Sequence, residues 1–399
     1  MPFDPVEINV VQQSVECYPR LRSRHFMNRP PCLLLLVLLA LADACGSCAS
    51  PYPALRAATV DHGKLNKVGD IWVLELEGNP AERGKAEGAL LGEQVRWLLP
   101  RYLKKVASVE KLSNYQKELV AAIATAIPSS HFAQLNALAD AANVDRTALF
   151  AVNLAPEILS SFACSCLATT AERSIDQKVR LARNLDWPGG DILSEAGLVV
   201  VESGGGHRFA SFTWPGLVSV ATGMNDAGLA VADLMALGTG ASRPQPGVPV
   251  LFALRSLLEQ ADSVDAALAS LQSTQRTMAQ NYALADRNGA RVVETSPSYF
   301  YVRRTEMGLA AITNFWHEER GGAKDGRYAR MLQTAGQEKL SAADLQRILA
   351  EAAIAGMNVQ AVVLEPETRR AYVAQGKTPV AKGAWKTLEL SAWLGKSTD

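Results

Sequence analysis

Two short runs of this chain hold the residue types and spacing that suit nucleophilic chemistry. Phe162-Ala163-Cys164-Ser165-Cys166-Leu167-Ala168 puts a small residue directly before a cysteine that opens a strand-like run. Leu181-Ala182-Arg183-Asn184-Leu185-Asp186-Trp187 is a second strand-like run, ending near an Arg and an Asp. In an antiparallel hairpin, a cysteine opening one strand lies near the end of the next. A thiol attacking a carbonyl needs a base. A cysteine with a free α-amino group carries its own, with a pKa of about 7.7–8.0. A neighbouring Arg183 favours thiolate, and Asp186 would hold the ammonium or orient the amine. Blander readings compete. Cys164 suits a buried strand position, Cys166 suits packing on the same strand face, and Arg183 with Asp186 suits a surface ion pair. His207 and His317 are thiol-partner candidates without a recognisable context. Trp187, Trp214 and Trp316 would line an acyl pocket or fill the core.

The elements around these runs divide the chain at Cys164. Asp70–Glu77 reads as a strand. Asn79-Pro80-Ala81-Glu82 then opens a helix, with Asn capping, Pro at the first helical position and Glu reaching back. Helical sequence continues to about Ala151, with breaks expected near Pro100 and Pro128. Strand texture follows Cys164, over Val179–Trp187, Gly197–Glu202, Arg208–Thr213 and Gly228–Asp233. Asn281–Ala285 and Ala290–Thr295 flank the turn Asp286-Arg287-Asn288-Gly289. Ser263–Ser270 and Ser341–Ala355 read as Ser-capped helices, and Val359–Leu364 and Arg370–Ala374 as a last hairpin. Helices, then antiparallel strands, then helices imply two sheets sandwiched between helical layers.

With the elements placed, a resemblance becomes visible. The order Cys164-Ser165, Arg183-Asn184-Leu185-Asp186-Trp187, Trp214-Pro215-Gly216-Leu217, Gly223–Val231 and Ile312-Thr313-Asn314, closing on Arg327-Tyr328-Ala329-Arg330, resembles the cysteine branch of the N-terminal-nucleophile hydrolases. That branch includes the acyl-coenzyme A:6-aminopenicillanic acid acyltransferases, the choloylglycine hydrolases and acid ceramidase. The helical stretch with Ala81–Gly88 is similar to the acyltransferase pro-segment. The resemblance implies an α+β fold, a four-layer αββα sandwich, behind a helical pro-segment over residues 49–163. It implies self-cleavage between Ala163 and Cys164, a β-chain over residues 164–399, and chains that stay associated. It implies action on linear amide bonds of acylated amines, by hydrolysis or acyl transfer. Cys164, Arg183, Asp186, Asn314 and Arg327 are the implied catalytic set, with Asn314 supplying an oxyanion-hole amide. Two rivals stay open: a Cys-His thiol hydrolase that is never cut, and an inactive descendant that binds ligand.

Composition narrows the partners. Lys plus Arg and Asp plus Glu are 40 each in 399 residues, so no basic stripe points to nucleic acid or an anionic membrane. A small-molecule acyl-amide is the expected partner. No metal-ligand cluster or phosphate-cradling glycine loop is legible, and no cofactor is expected. Residues 1–48 read as an export address. An apolar run over Cys32–Ala42 is too short to span a bilayer and follows Arg20, Arg22, Arg24 and Arg29. Ala42-Asp43-Ala44 fits a cleavage site before Cys45, and Met27 is an alternative start. The expected location is periplasmic or secreted, with a lipid anchor on Cys45 as a second reading. Cys45-Gly46-Ser47-Cys48 resembles a thiol-protease or redox motif but abuts the export signal, and Ala49 stands where an aromatic residue belongs.

Overall fold

The computed structural model describes residues 51–107, 122–159, 162–237, 244–317 and 326–395. The export address and Cys45 lie outside the described residues. The first strands are β1 (Ala58–Val60), β2 (Gly63–Val68) and β3 (Ile71–Leu76). Helices α1 (Pro80–Ala107), α2 (Ser129–Ala142), α3 (Arg146–Asn153) and α4 (Ala155–Ile158) follow. Then come β4 (Ala163–Thr169), β5 (Arg180–Asp186), the short turn α5 (Gly190–Leu193), β6 (Leu198–Glu202), β7 (Phe209–Thr213), β8 (Thr222–Asn225) and β9 (Ala230–Met235). After α6 (Val250–Gln260) and α7 (Val264–Ser273) come β10 (Gln280–Asp286), β11 (Gly289–Ser296), β12 (Tyr299–Arg304) and β13 (Leu309–Ile312). The chain closes with α8 (Gly326–Ala335), α9 (Ala342–Ala352), β14 (Asn358–Glu365), β15 (Arg370–Ala374), β16 (Trp385–Glu389) and α10 (Ser391–Leu394).

These strands form two sheets, ordered β1-β2-β3-β6-β7-β8-β9-β10-β11-β12 and β13-β4-β5-β14-β15-β16. They pack face to face, β4 and β5 lying against β9 and β10. Helices α6 and α7 cover the outer face of the larger sheet, and α8 and α9 that of the smaller. The result is a four-layer αββα sandwich. Strands buried on both faces need near-continuous apolar sequence, as in the fully buried β6; β10 is also buried throughout, with Gln280, Asn281 and Asp286 hydrogen-bonded. The hairpin turn expected at Asp286–Gly289 joins β10 to β11. The glycine-rich Gly204-Gly205-Gly206 joins the antiparallel pair β6 and β7.

Two expectations change. The segment over 49–163, expected as helical apart from the strand read at Asp70–Glu77, carries two further strands, and β1–β3 join the larger sheet through a parallel pairing of β3 with β6. A strand far away in sequence supplies that edge, which no local pattern records. The break at Pro100 is also absent, and α1 runs through it. Pro100 withholds one backbone donor, yet the flanking Leu98, Leu99 and Tyr102 are buried, and this packing outweighs the loss. The start of α1 is as expected. Asn79 Oδ1 accepts from the Glu82 N–H at 3.1 Å, and Glu82 Oε2 accepts from the Asn79 N–H at 2.7 Å.

A buried charged network fastens α1 and α2 to the sandwich. Glu202 on β6 takes Arg83 of α1 at 3.0 Å and Arg255 of α6 at 2.7 Å. Arg255 also holds Glu259 at 2.9 Å, and Glu259 meets His131 of α2 at 2.8 Å. Gln134 of α2 accepts from Arg255 at 2.8 Å. Removing one member of such a cluster strands the others without their partner. Arg255→Met is therefore expected to lower stability by about 3 kcal/mol, read as a shifted denaturant midpoint. An unshifted midpoint would mean the network carries no weight.

Candidate active site

The hairpin of β4 and β5 pairs Ala163 with Asp186, Cys164 with Leu185 and Cys166 with Arg183. Alternation along β4 turns Cys164 and Cys166 into the core between the sheets. Ser165 and Asn184 face the other way, where Asn184 donates to Ser165 Oγ at 3.1 Å and to the Leu349 carbonyl of α9 at 2.8 Å. Arg183 reaches across the intersheet space. Its Nη2 donates to Cys164 Sγ at 3.6 Å, to the Asp233 carbonyl at 2.7 Å and to Asp233 Oδ1 at 3.1 Å. Its Nη1 donates to Thr222 Oγ1 at 2.6 Å. Gln280 Nε2 holds the other Asp233 oxygen at 2.8 Å.

Asn314 and Arg327 meet the backbone of Cys164. The Cys164 N–H donates to Asn314 Oδ1 at 2.7 Å. Asn314 Nδ2 donates to the Met235 carbonyl at 2.9 Å, which fixes the amide's orientation through its partners. The turn carrying Asn314 is pinned by Asn281, whose Nδ2 donates to the Thr313 and Phe315 carbonyls, each at 3.0 Å. Arg327, in the first turn of α8, donates to the Cys164 carbonyl and to Asn314 Oδ1, each at 3.0 Å. It lies 3.7 Å from Asp186 Oδ2, an atom with no hydrogen-bond partner among the described residues. Beside Asp186, β14 is irregular, its register with β5 shifting between Asn358 and Gln360. Such bulges re-aim side chains next to reactive sites.

All five residues singled out in the sequence thus converge on one peptide segment. Two roles look different in this uncut chain. Burial pushes the Cys164 thiol up to about 11, and Arg183 only partly opposes it. The arginine's charge is shared with Asp233, so it cannot favour the thiolate alone. Asn314 presents its oxygen to the Cys164 nitrogen. Its Nδ2 donates to the Met235 carbonyl. Asp233, Thr222, Gln280 and Asn281 escaped the sequence reading. The signal for Asp233 was an acid among the apolar residues of β9. His207 pairs with Asp226 at 2.6 Å, and the His317 N–H bonds Glu294 at 3.0 Å. Neither bonds Cys164 Sγ among the described residues. Trp316 packs in a separate small cluster with Ala236 and Ala279.

Residues 174–352 match the family model described as acyl-coenzyme A:6-aminopenicillanic acid acyl-transferase. The chain is similar to that acyltransferase family. The matched span includes Arg183, Asp186, Asn314 and Arg327 and begins after Cys164. Among curated relatives, protein dcd1A of Dictyostelium discoideum is 23% identical over 314 residues, covering 68% of this chain and 70% of that one. Protein dcd1B of the same organism is 25% identical over 271 residues, and the chain spans only 54% of its length. Among solved structures, a Caenorhabditis elegans N-acylethanolamine-hydrolyzing acid amidase ortholog is 16% identical with a TM-score of 0.44. That match covers 56% of this chain and 100% of the amidase. Among the described residues, no group of three or more His, Cys, Asp or Glu is placed to hold a metal, and no helix is long and apolar enough to cross a membrane.

The acyltransferase-like core buries carboxyls in a way that sets its pH response. Burial raises Glu87 and Glu157 to about 7, and Asp186 and Asp233 to about 6. A carboxyl raised in the fold holds its proton more tightly there than in the unfolded chain. Its contribution to stability is full below the unfolded value of about 4 and is lost as pH rises to the folded value. His131 is lowered by burial and acts in the opposite sense just below its ordinary value. Four acids outnumber one histidine, so the melting temperature should be higher at pH 5 than at pH 7.5. Glu157→Gln should shrink the difference. Thermal melts across that range test this, and a higher melting point at pH 7.5 would refute it.

Proposed function

We propose that this chain is a self-cleaving cysteine N-terminal-nucleophile enzyme that cuts before Cys164 and then acts on linear amide bonds of acylated amines, by hydrolysis or acyl transfer. The observation that carries the reading is the Cys164 segment itself: its thiol is under Arg183, its nitrogen under Asn314 and its carbonyl under Arg327. In the first event, Cys164 Sγ bonds to the Ala163 carbonyl carbon. The bond from that carbon to the Cys164 nitrogen breaks, and the nitrogen takes the thiol proton. Water then splits the thioester, leaving an Ala163 carboxylate and a free α-amine on Cys164. That amine, with an ordinary pKa of about 7.7–8.0, becomes the base for later turnovers. Asn314 Oδ1, already on this nitrogen, would hold the amine in place, and Asp186 and Arg327 would steady it from behind. The buried network joining α1 and α2 to the sandwich supports chains that stay together after the cut. We further propose export, resting on residues 1–48.

Intact-mass measurement of the purified protein tests the reading. A fragment beginning at Cys164 is expected, and a chain cut elsewhere or not at all would overturn it. Asn314→Ala should slow cutting and turnover, because it releases the nitrogen that both steps use. A loss of about 10²–10³-fold in kcat is expected if its amide also serves the oxyanion. Single-turnover acylation kinetics read this directly, and an unchanged rate would remove Asn314 from the site.

A further inference from the structure

β13 leaves the ladder of the smaller sheet after Ile312, whose partner there is Cys166. The buried backbone beyond it still needs hydrogen-bond partners, and side chains of the larger sheet supply them. Arg303 of β12 donates to the Ala311 carbonyl at 2.8 Å. Asn281 of β10 donates to the Thr313 and Phe315 carbonyls, each at 3.0 Å. Glu294 of β11 accepts from the His317 N–H at 3.0 Å, and Arg303 Nε lies 3.5 Å from the same carboxylate oxygen. Every second residue from Ala311 to His317 is thus held by one of three side chains. These three are buried and share a face of the larger sheet. Asn281 and Glu294 are direct cross-strand partners, and Arg303 stands opposite Val292, two residues before Glu294. We propose that Asn281, Glu294 and Arg303 form a clamp that positions Asn314 against the Cys164 nitrogen, with Glu294 at its centre, an assignment that rests on the amide-cleaving reading above.

The clamp grips the residues on both sides of Asn314 and leaves its side chain to the site. The Asn314 carbonyl accepts from the Leu237 N–H at 2.7 Å, and its Nδ2 donates to the Met235 carbonyl at 2.9 Å. Its Oδ1 is then aimed at the Cys164 N–H, at 2.7 Å. A turn at the end of an edge strand would otherwise be free to shift, and a displacement of roughly 1 Å at a reacting group costs on the order of 10²-fold in rate. Glu294 is the centre for a geometric reason. It fixes His317 at the far end of the turn and, through Arg303, ties that end to Ala311 at the near end. Truncating it frees the His317 N–H and leaves a buried guanidinium without this carboxylate. Glutamine keeps an acceptor of the same shape and gives up only the charge. The effect on chemistry has a sign. Once the chain is cut, Oδ1 accepting from the Cys164 amine favours the ammonium form and raises the amine's pKa. A loosened Asn314 lets that pKa fall, so the rising limb of kcat/KM should move to lower pH.

Two measurements test the clamp. The first needs no catalysis and uses the Cys164→Ala chain, expected to stay uncut. Adding Glu294→Ala should speed hydrogen exchange at the residue-164 and His317 amides at least about tenfold, with the amides of β7 unchanged. Exchange that stays the same at both sites would overturn the clamp. The second uses matured protein. Glu294→Ala should lower kcat about 10–100-fold, leave KM within about twofold and shift the pH limb downward. Glu294→Gln should recover at least about fivefold of the lost kcat, since the acceptor for His317 remains. In an Asn314→Ala background, Glu294→Ala should cost less than about twofold more, because the two act on one contact. A full additional loss in that background, or a kcat unmoved in Glu294→Ala, would overturn the positioning role. Should Glu294→Ala fail to fold, Asn281→Ala, which removes the donor to Thr313 and Phe315 and keeps the ion pair, carries the same cycle with the same expected outcomes. Parent protein that splits no amide, while the exchange result holds, would instead overturn the amide-cleaving reading.

Discussion

Cys164→Ala should give one uncut chain on a denaturing gel, while Cys166→Ala is cut as readily as the parent. The two cysteines share a strand face and a core, so burial does not distinguish them. Position does. The nitrogen of Cys164 rests on Asn314, its carbonyl on Arg327, and its thiol under Arg183. Cys166 Sγ instead faces the Leu167 carbonyl at 3.8 Å. Loss of the nucleophile should also remove turnover, by about 10⁴–10⁶-fold in kcat, since groups acting as one unit fail together. The measurement is a gel with intact mass, followed by amide turnover on whatever forms. Cleavage that survives Cys164→Ala would move the nucleophile elsewhere, and loss of cleavage in Cys166→Ala alone would move it one strand position pair along.

Arg183→Met should be nearly as damaging, for a different reason. The guanidinium is fully buried and serves Cys164 Sγ, Thr222 and both the carbonyl and carboxylate of Asp233. Burial already raises Asp233 to about 6, with Arg183 the main opposing influence. Removing the cation leaves a buried acid and a hydroxyl facing apolar surface, at a cost of about 3–5 kcal/mol. The thiol, already raised by burial, loses the cation that opposes this and should rise further. Chemical denaturation and the pH dependence of iodoacetamide labelling report the two effects separately. Arg183→Met with Asp233→Leu should recover most of the stability, because no lone charge remains, but not the labelling rate. If the double variant recovered both, Arg183 would be only the structural partner of Asp233.

The sequence by itself determined the local part of the site. Side-chain alternation and hairpin pairing placed Cys164 beside the end of the strand carrying Arg183 and Asp186, because both are short-range properties of adjacent strands. The Asp286–Gly289 turn, the Asn79–Glu82 cap and the capping box at Ser341 and Asp344 were legible for the same reason. Asn314 and Arg327 came from resemblance, and nothing in their spacing says that one meets the nitrogen of Cys164 and the other its carbonyl. Only the tertiary structure decided that, by laying the turn after β13 and the start of α8 over the opening of β4. It also decided that Asp233 shares Arg183 with the thiol, since β5 and β9 sit in different sheets and meet only when those sheets stack. Burial depth followed from the same stacking, and it reversed the expected effect on the uncut thiol. The pro-segment shows the same division. Its helices were periodic enough to read, but β3 finds its parallel partner more than one hundred residues away. Local propensity holds no record of such a pairing, because its stability comes from surface buried by the partner strand.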